Sequence, residues 1–181
     1  MIDKNSTKEE VLAAVKEWGL SLQYASEALK ADKEVALVAV RKNWSALQYV
    51  GESLKTDREL VIEAARQDWR TTTRPEIFVR DELKIKKRDF LVSLLLPSEE
   101  LKKDKEIVLL LILQYGSALE FVSKELQADK EVVLAAVKQD WRALDFASDE
   151  LRGDEDVLRE FFSRKDFFDN QLEKSFPFFR D

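Results

Sequence analysis

Pairs of carboxylates recur along this sequence, and they are the one pattern that could bind a metal ion or catalyse a reaction. Asp32 with Glu34 and Asp129 with Glu131 each stand two residues apart, with a Lys between them. Such groups could bind a cation, or act together as the acid and base of glycoside hydrolysis. Calcium, however, takes its oxygen ligands from a loop that contains Gly, and nothing distinguishes one acidic pair from the others. We therefore expect no metal site, and a carboxylate-only hydrolase is the weaker alternative.

The residue types that are absent narrow the chemistry further. The chain of 181 residues contains no Cys and no His. This excludes a disulfide framework, zinc sites built on Cys or His, and nucleophilic catalysis by Ser-His-Asp or Cys-His groups. The sequence thus predicts a protein that is not an enzyme and that has no cofactor.

The acidic pairs instead mark the starts of helices. Asp accepts hydrogen bonds from the free N–H groups at a helix N-terminus, and Glu in the first turn is favoured by the helix dipole. Thr7 with Glu10 matches a capping box. A largely apolar stretch follows each cap, such as Val35 to Val40, and predicts a buried helix, helix A, of roughly eleven residues.

These helix starts repeat at intervals of 25 residues, except that 47 residues separate Asp57 from Asp104. The second half of each copy predicts one amphipathic helix B, with Leu47, Val50 and Leu54 at spacing i, i+3, i+7. One pair of helices cannot bury its own apolar surface, but stacked pairs can. We therefore predict an all-α, solenoid-like array of short helix-turn-helix repeats, with Leu109 and Leu134 in its core. The copies begin at Thr7, Asp32, Asp57, Asp104 and Asp129, and a further copy begins at Asp154.

The repeat resembles the tandem repeats of the domain of unknown function 4116 family. The residues that carry the resemblance are the Asp-Lys-Glu-Val-Val-Leu-Ala-Ala-Val-Lys segment at Asp129 and the segment from Ser117 to Leu126. The resemblance is good over residues 7–72 and 98–153. It implies no activity, but members of the family resemble parts of bacterial, protist and viral proteins, which favours a host-interaction role.

The repeat pattern divides the chain into four segments. Residues 1–70 and 98–153 are predicted to be helical repeats, residues 71–97 a degenerate central repeat or bend, and residues 154–181 a Phe-rich terminal cap. The central segment contains a basic cluster, which predicts a solvated loop, a contact with nucleic-acid phosphates or a nuclear localisation signal. The cluster comprises Arg80, Lys84, Lys86, Lys87 and Arg88.

One aromatic position is a candidate for partner binding. Trp44, Trp69 and Trp141 each stand twelve residues after the Asp that opens their repeat, where Gly19 and Gly116 stand in other copies. A close-packed core does not accept both an indole and a missing side chain, and Gly at a helix end fits a left-handed cap. We therefore predict a partly exposed rim that binds a partner. The alternative is that each indole packs between neighbouring repeats.

The Phe-rich C-terminal segment is the second candidate. Seven of the eleven Phe residues lie in 154–181, which predicts either a cap over the last repeat or an exposed interface. Phe176, Phe178 and Phe179 are the residues most suited to such an interface.

Charge and hydropathy set the expected partner and location. The net charge of −6 makes nucleic acid an unlikely partner. No apolar segment stands near Met1, and no apolar run is long enough to span a bilayer. We therefore expect an intracellular, cytoplasmic protein that does not bind membranes. Secretion by a route independent of a signal peptide is the alternative. We expect a non-catalytic scaffold or protein-protein interaction module; its oligomeric state does not follow from the sequence.

Overall fold

The computed structural model describes residues 2–67 and 96–175, with side chains described as far as residue 165. All regular elements in these ranges are helical, and no strand occurs among them. The chain divides into two compact units, residues 1–101 and 102–181. The predicted all-α repeat array is confirmed.

Each repeat opens with the predicted helix A. Thr7 caps the first one through a complete capping box with Glu10. In the other copies an Asp accepts through Oδ1 from the N–H groups two and three residues further on. The helices A are Lys8–Glu17, Lys33–Lys42, Arg58–Ala65, Lys105–Ile112 and Lys130–Gln139.

The second half of the repeat differs from the predicted continuous helix B. It consists of a six-residue 3₁₀ helix, an extended residue, and then a short helix of one turn. A Ser or Gly precedes the short helix, and the Oγ of Ser26 accepts the N–H of Leu29 as an N-cap. The 3₁₀ helices are Gly19–Tyr24, Trp44–Tyr49, Gly116–Phe121 and Trp141–Phe146, and the short helices are Glu27–Lys30, Glu52–Leu54, Glu99–Lys102, Lys124–Gln127 and Asp149–Arg152.

The core of each unit lies between successive helices A. Helix A of the fourth repeat buries Ile107, Val108, Leu111 and Ile112, which recur at i, i+1, i+4 and i+5 and therefore form one face. The prediction that Leu109 and Leu134 are core residues is wrong, because both lie off this face and are only half-buried.

A long helix, Glu155–Ser175, follows the fifth repeat. Asp154 caps it in the same way as a helix A, and it packs on helix A of the fifth repeat. Its first turns bury Val157 completely and leave Phe162 exposed. Among the described helices, none combines the length and apolarity that a membrane span requires.

Besides that for Trp69, three predictions fall outside the described residues. They concern the bend at 71–97, apart from its last two residues, the basic cluster between Arg80 and Arg88, and the partner-binding role of Phe176, Phe178 and Phe179.

Candidate interaction surface

The recurring Asp-Lys-Glu motif joins neighbouring repeats. The Nζ of Lys8 lies 2.8 Å from Oδ2 of Asp32 and 2.7 Å from Oε2 of Glu34, both in the next repeat. Asp32 thus caps its own helix through Oδ1 and binds the preceding repeat through Oδ2. The same bridge recurs from Lys33 to Asp57 and Glu59, from Lys105 to Asp129 and Glu131, and from Lys130 to Asp154 and Asp156.

These bridges shift the pKa values of the lysines and of the cap Asp residues toward their charged forms. Hydrogen bonds to Asp32 and Glu34 raise the pKa of Lys8 to about 12. The ammonium of Lys8 lowers the pKa of Asp32, with help from two backbone N–H groups. Partial burial raises the pKa of Asp129, but Lys105 and the backbone N–H groups outweigh it, so the net shift is downward. Lys8, Asp32, Lys105 and Asp129 therefore stay ionised at neutral pH.

Side-chain amides and backbone groups make a second set of joints. Gln139 donates from Nε2 to the carbonyl of Gln114 and accepts the N–H of Gly116 at Oε1, both in the preceding repeat. Gln67 bridges Val40 and Trp44 in the same way. Backbone N–H groups also donate to the short helix of the preceding repeat, as from Gly51 to Lys30, Ser123 to Lys102 and Ser148 to Gln127.

The described carboxylates offer no site for a metal ion. No group of three or more His, Cys, Asp or Glu side chains with a suitable arrangement occurs among the described residues. The regularly spaced carboxylates that first suggested chemistry are occupied by helix caps and by lysines of the preceding repeat. Their role in this structure is to hold successive repeats together.

The predicted exposed indole rim is wrong for Trp44. This residue is 0% exposed, and it begins a 3₁₀ helix that packs against helix A of the third repeat. A fully buried indole presents no surface to a partner. Trp141 is half-buried and meets the ring of Phe161 edge-on, with ring centroids 5.6 Å apart. Trp69 lies outside the described residues.

The Gly residues at this position serve close packing, so the expected left-handed cap is also wrong. The backbone at Gly19 and Gly116 is not left-handed. A Cβ at Gly19 would lie 2.5 Å from the carbonyl oxygen of Ala39 in the next repeat. The same position therefore has no room for a Cβ in two repeats and holds a fully buried indole in another.

An exposed aromatic pair in the first repeat was missed. Trp18 immediately precedes the first 3₁₀ helix, Tyr24 is its last residue, and they are 42% and 45% exposed. The signal was a shift of the aromatic residue by one position: Trp18-Gly19 and Tyr115-Gly116 stand where other repeats have Asn43-Trp44 and Asp140-Trp141. The aromatic side chain moves to the preceding residue when Gly occupies the packed position.

A groove lies between the second halves of the fourth and fifth repeats. Its volume is about 610 Å³. Phe146 lines it together with five charged side chains, which are Glu120, Lys124, Asp145, Asp149 and Arg152. Because the exposed carboxylates Glu120, Asp145 and Asp149 line it, the groove is the candidate interaction surface of the second unit.

Comparison with known proteins identifies a family. The model of the family described as Domain of unknown function (DUF4116) matches residues 7–55, 32–71, 96–127 and 129–168. No curated protein and no solved structure matches the chain. The last matched segment includes the first turns of the terminal helix, in agreement with its Asp154 cap. Because these tandem matches span most of the sequence, the chain belongs to the DUF4116 family.

Proposed function

We propose that this chain is a non-catalytic helical-repeat module that binds another protein. The proposal rests on the observation that the recurring polar residues cap helices and join repeats. Asp129 and its counterparts bind both their own helix and the lysine of the preceding repeat, so they are occupied in joining repeats. An array of this kind provides an extended surface, and binding is the common use of such surfaces.

The outward face of the second halves supports the same proposal. The final residue of the 3₁₀ helix is Tyr24 or Tyr49 in the first unit and Phe121 or Phe146 in the second. The preceding residue is Gln in the first unit but Glu120 or Asp145 in the second. Inward positions are alike among repeats, whereas this face changes its charge, as a surface that discriminates among partners would require.

The proposal includes a cytoplasmic location and a host-interaction role. A nucleic-acid partner is the alternative, and it relies on the basic cluster between Arg80 and Arg88, which lies outside the described residues. The regular capping and pairing of the carboxylates gives no support to a hydrolase.

Affinity capture with the whole chain tests the proposal. We expect a saturable complex with one protein that survives nuclease treatment and forms again from purified components. Parallel capture with Trp18→Ser/Tyr24→Ser and with Asp145→Asn asks whether either exposed face contributes. A complex destroyed by nuclease, with affinity falling steeply as salt rises, would contradict protein binding and favour the alternative.

A further inference from the structure

The groove of the second unit has rigid walls. The backbone N–H of Ser148 donates to the carbonyl of Gln127 across the joint between the two repeats, at 2.9 Å. Gln127 is only 6% exposed, and its Nε2 donates to the carbonyl of Leu119 while its Oε1 accepts from Lys124. These bonds fix the short helices that border the groove, so a ligand would meet a preformed surface.

The charges that line the groove are unequally satisfied. Arg152 pairs with Asp149 on the same short helix, and Lys124 is held by Gln127. The exposed carboxylate of Asp145, in contrast, forms no ion pair or hydrogen bond within the described part of the chain. The groove therefore presents one uncommitted negative charge, with a second carboxylate, Glu120, at the equivalent place in the preceding repeat.

An aromatic ring stands beside this charge. Phe146 follows Asp145 directly, lines the groove and is half-buried. The face of an aromatic ring attracts a guanidinium or ammonium group, and a carboxylate accepts hydrogen bonds from the same group. The equivalent residues of the second repeat, Gln48 and Tyr49, retain the ring but lack the charge.

We propose that the groove between the fourth and fifth repeats binds a basic side chain, Arg or Lys, of the partner protein. Asp145 pairs with the cationic group, Phe146 packs beneath it, and Glu120 of the preceding repeat also lines the groove. This inference rests on the proposed function and adds the chemistry of the partner. The neutral residues Gln23 and Gln48 give the first unit no equivalent preference for a cation.

Nuclear magnetic resonance of the whole chain with a defined probe tests this. The probe is the peptide acetyl-Gly-Arg-Gly-Arg-Gly-amide, and its counterpart carries citrulline, which keeps the shape of Arg without the charge. We expect the arginine peptide to shift the amide signals of residues 145–149 in a saturable way. We expect the citrulline peptide to leave them in place.

Two variants complete the test. Asp145→Asn should weaken binding of the arginine peptide about fivefold, the effect of one exposed charge pair. Glu150→Gln removes the same charge from the neighbouring short helix Asp149–Arg152, at an exposed residue that does not line the groove, and it should leave the affinity unchanged. Melting temperatures of both variants should match that of the parent.

Three results would overturn the inference. These are equal binding of the citrulline peptide, perturbations that lie outside the groove or are absent, and an unchanged affinity in Asp145→Asn. If the captured partner bound Asp145→Asn as tightly as the parent, the inference that the groove binds a basic side chain would be wrong. The proposed protein-binding function would still stand. If no protein partner formed a saturable complex, the proposed function itself would fail.

Discussion

At the residue scale, the position shared by Gly and Trp shows how closely neighbouring repeats pack. Gly19 lies against the end of the next helix A with no space for a Cβ. Trp44, in the following repeat, has a fully buried indole, and its backbone N–H donates to Oε1 of Gln67. Because interiors are close-packed, each joint accepts only the residue around which it is built.

The tight joint predicts the cost of a single methyl group. Gly19→Ala should lower the free energy of unfolding by about 1–3 kcal/mol, because the carbonyl of Ala39 and the side chain of Asn43 must move. Gly153→Ala is the control, since its nearest neighbour would lie 3.7 Å away, and it should be neutral or slightly stabilising. Urea unfolding of both variants provides the measurement. Equal effects at the two sites would refute the tight joint.

The buried indole predicts a contrast between two Trp residues. Trp44→Ala should cost about 3–5 kcal/mol, because it empties a fully buried site. Trp18→Ala, at a residue 42% exposed, should cost less than about 1 kcal/mol. The readout is the urea unfolding free energy. A small effect at Trp44 with loss of partner binding would restore the exposed rim that the sequence predicted.

The cap Asp residues have two roles, and only helix capping could be predicted from the sequence. Capping is local, so Asp32 before an apolar run was sufficient to indicate it. The bridge from Lys8 joins residues 24 positions apart, and no local pattern reports such a contact. The constant interval between each Lys and the next Asp was the available signal.

At the element scale, helix A followed from the sequence and the second half of the repeat did not. Helix A has a cap and an apolar run of sufficient length. The i, i+3, i+7 spacing of Leu47, Val50 and Leu54 fits a continuous helix, but it fits equally a 3₁₀ turn followed by an α-turn, because 3₁₀ helices align i with i+3. The recurring Ser26, Ser123 and Ser148 were the caps that marked the break.

A substitution at one of these caps distinguishes the two structures by the sign of its effect. Ser148→Ala should destabilise the protein by about 1 kcal/mol, because the N–H of Leu151 loses its acceptor. In a continuous helix the same change would be neutral or stabilising, since Ala is the better helix former. Ser163→Ala, at an exposed position inside the terminal helix, is the control for that case. Thermal unfolding measures both, and a stabilised Ser148→Ala variant would contradict the break.

The sequence also could not predict which face of helix A is buried. Residues 107–113 are all apolar, so hydrophobic periodicity could not show which side faces the neighbouring repeats. The structure buries Leu111 and leaves Leu109 half-exposed. Trp44, Trp69 and Trp141 were found because they occupy the same position in their repeats. Trp18 was missed because it stands one position earlier in its repeat.

At the scale of the whole molecule, the ion-pair bridges make stability depend on pH in a defined direction. The pKa values of Asp32, Asp57, Asp129 and Asp154 lie below the ordinary value in the folded state. Their contribution is therefore complete above the unfolded pKa of about 3.9 and is lost as the pH falls through the folded values. The pKa of Lys8 is raised to about 12, so its contribution is lost as the pH rises toward that value.

Thermal unfolding across the pH range checks this dependence. We expect the melting temperature to change little between about pH 5 and 9 and to fall below about pH 4. Raising the salt concentration should lower the melting temperature at neutral pH by a small amount, because the bridges are partly exposed to solvent. A melting temperature that held down to pH 2 would show that the bridges contribute nothing to folding.

The central claim is that the Asp-Lys-Glu motif joins repeats, and the pKa of Asp129 tests it most directly. Carbon-13 resonances of the carboxyl groups give this pKa in the parent chain and in Lys105→Met, with Lys103→Met, an exposed neighbour in sequence, as the control. We predict a pKa below the ordinary value in the parent and in the control. In Lys105→Met it should rise, because partial burial of Asp129 is then opposed only by backbone N–H groups. An unchanged pKa in Lys105→Met would contradict the joint between the repeats.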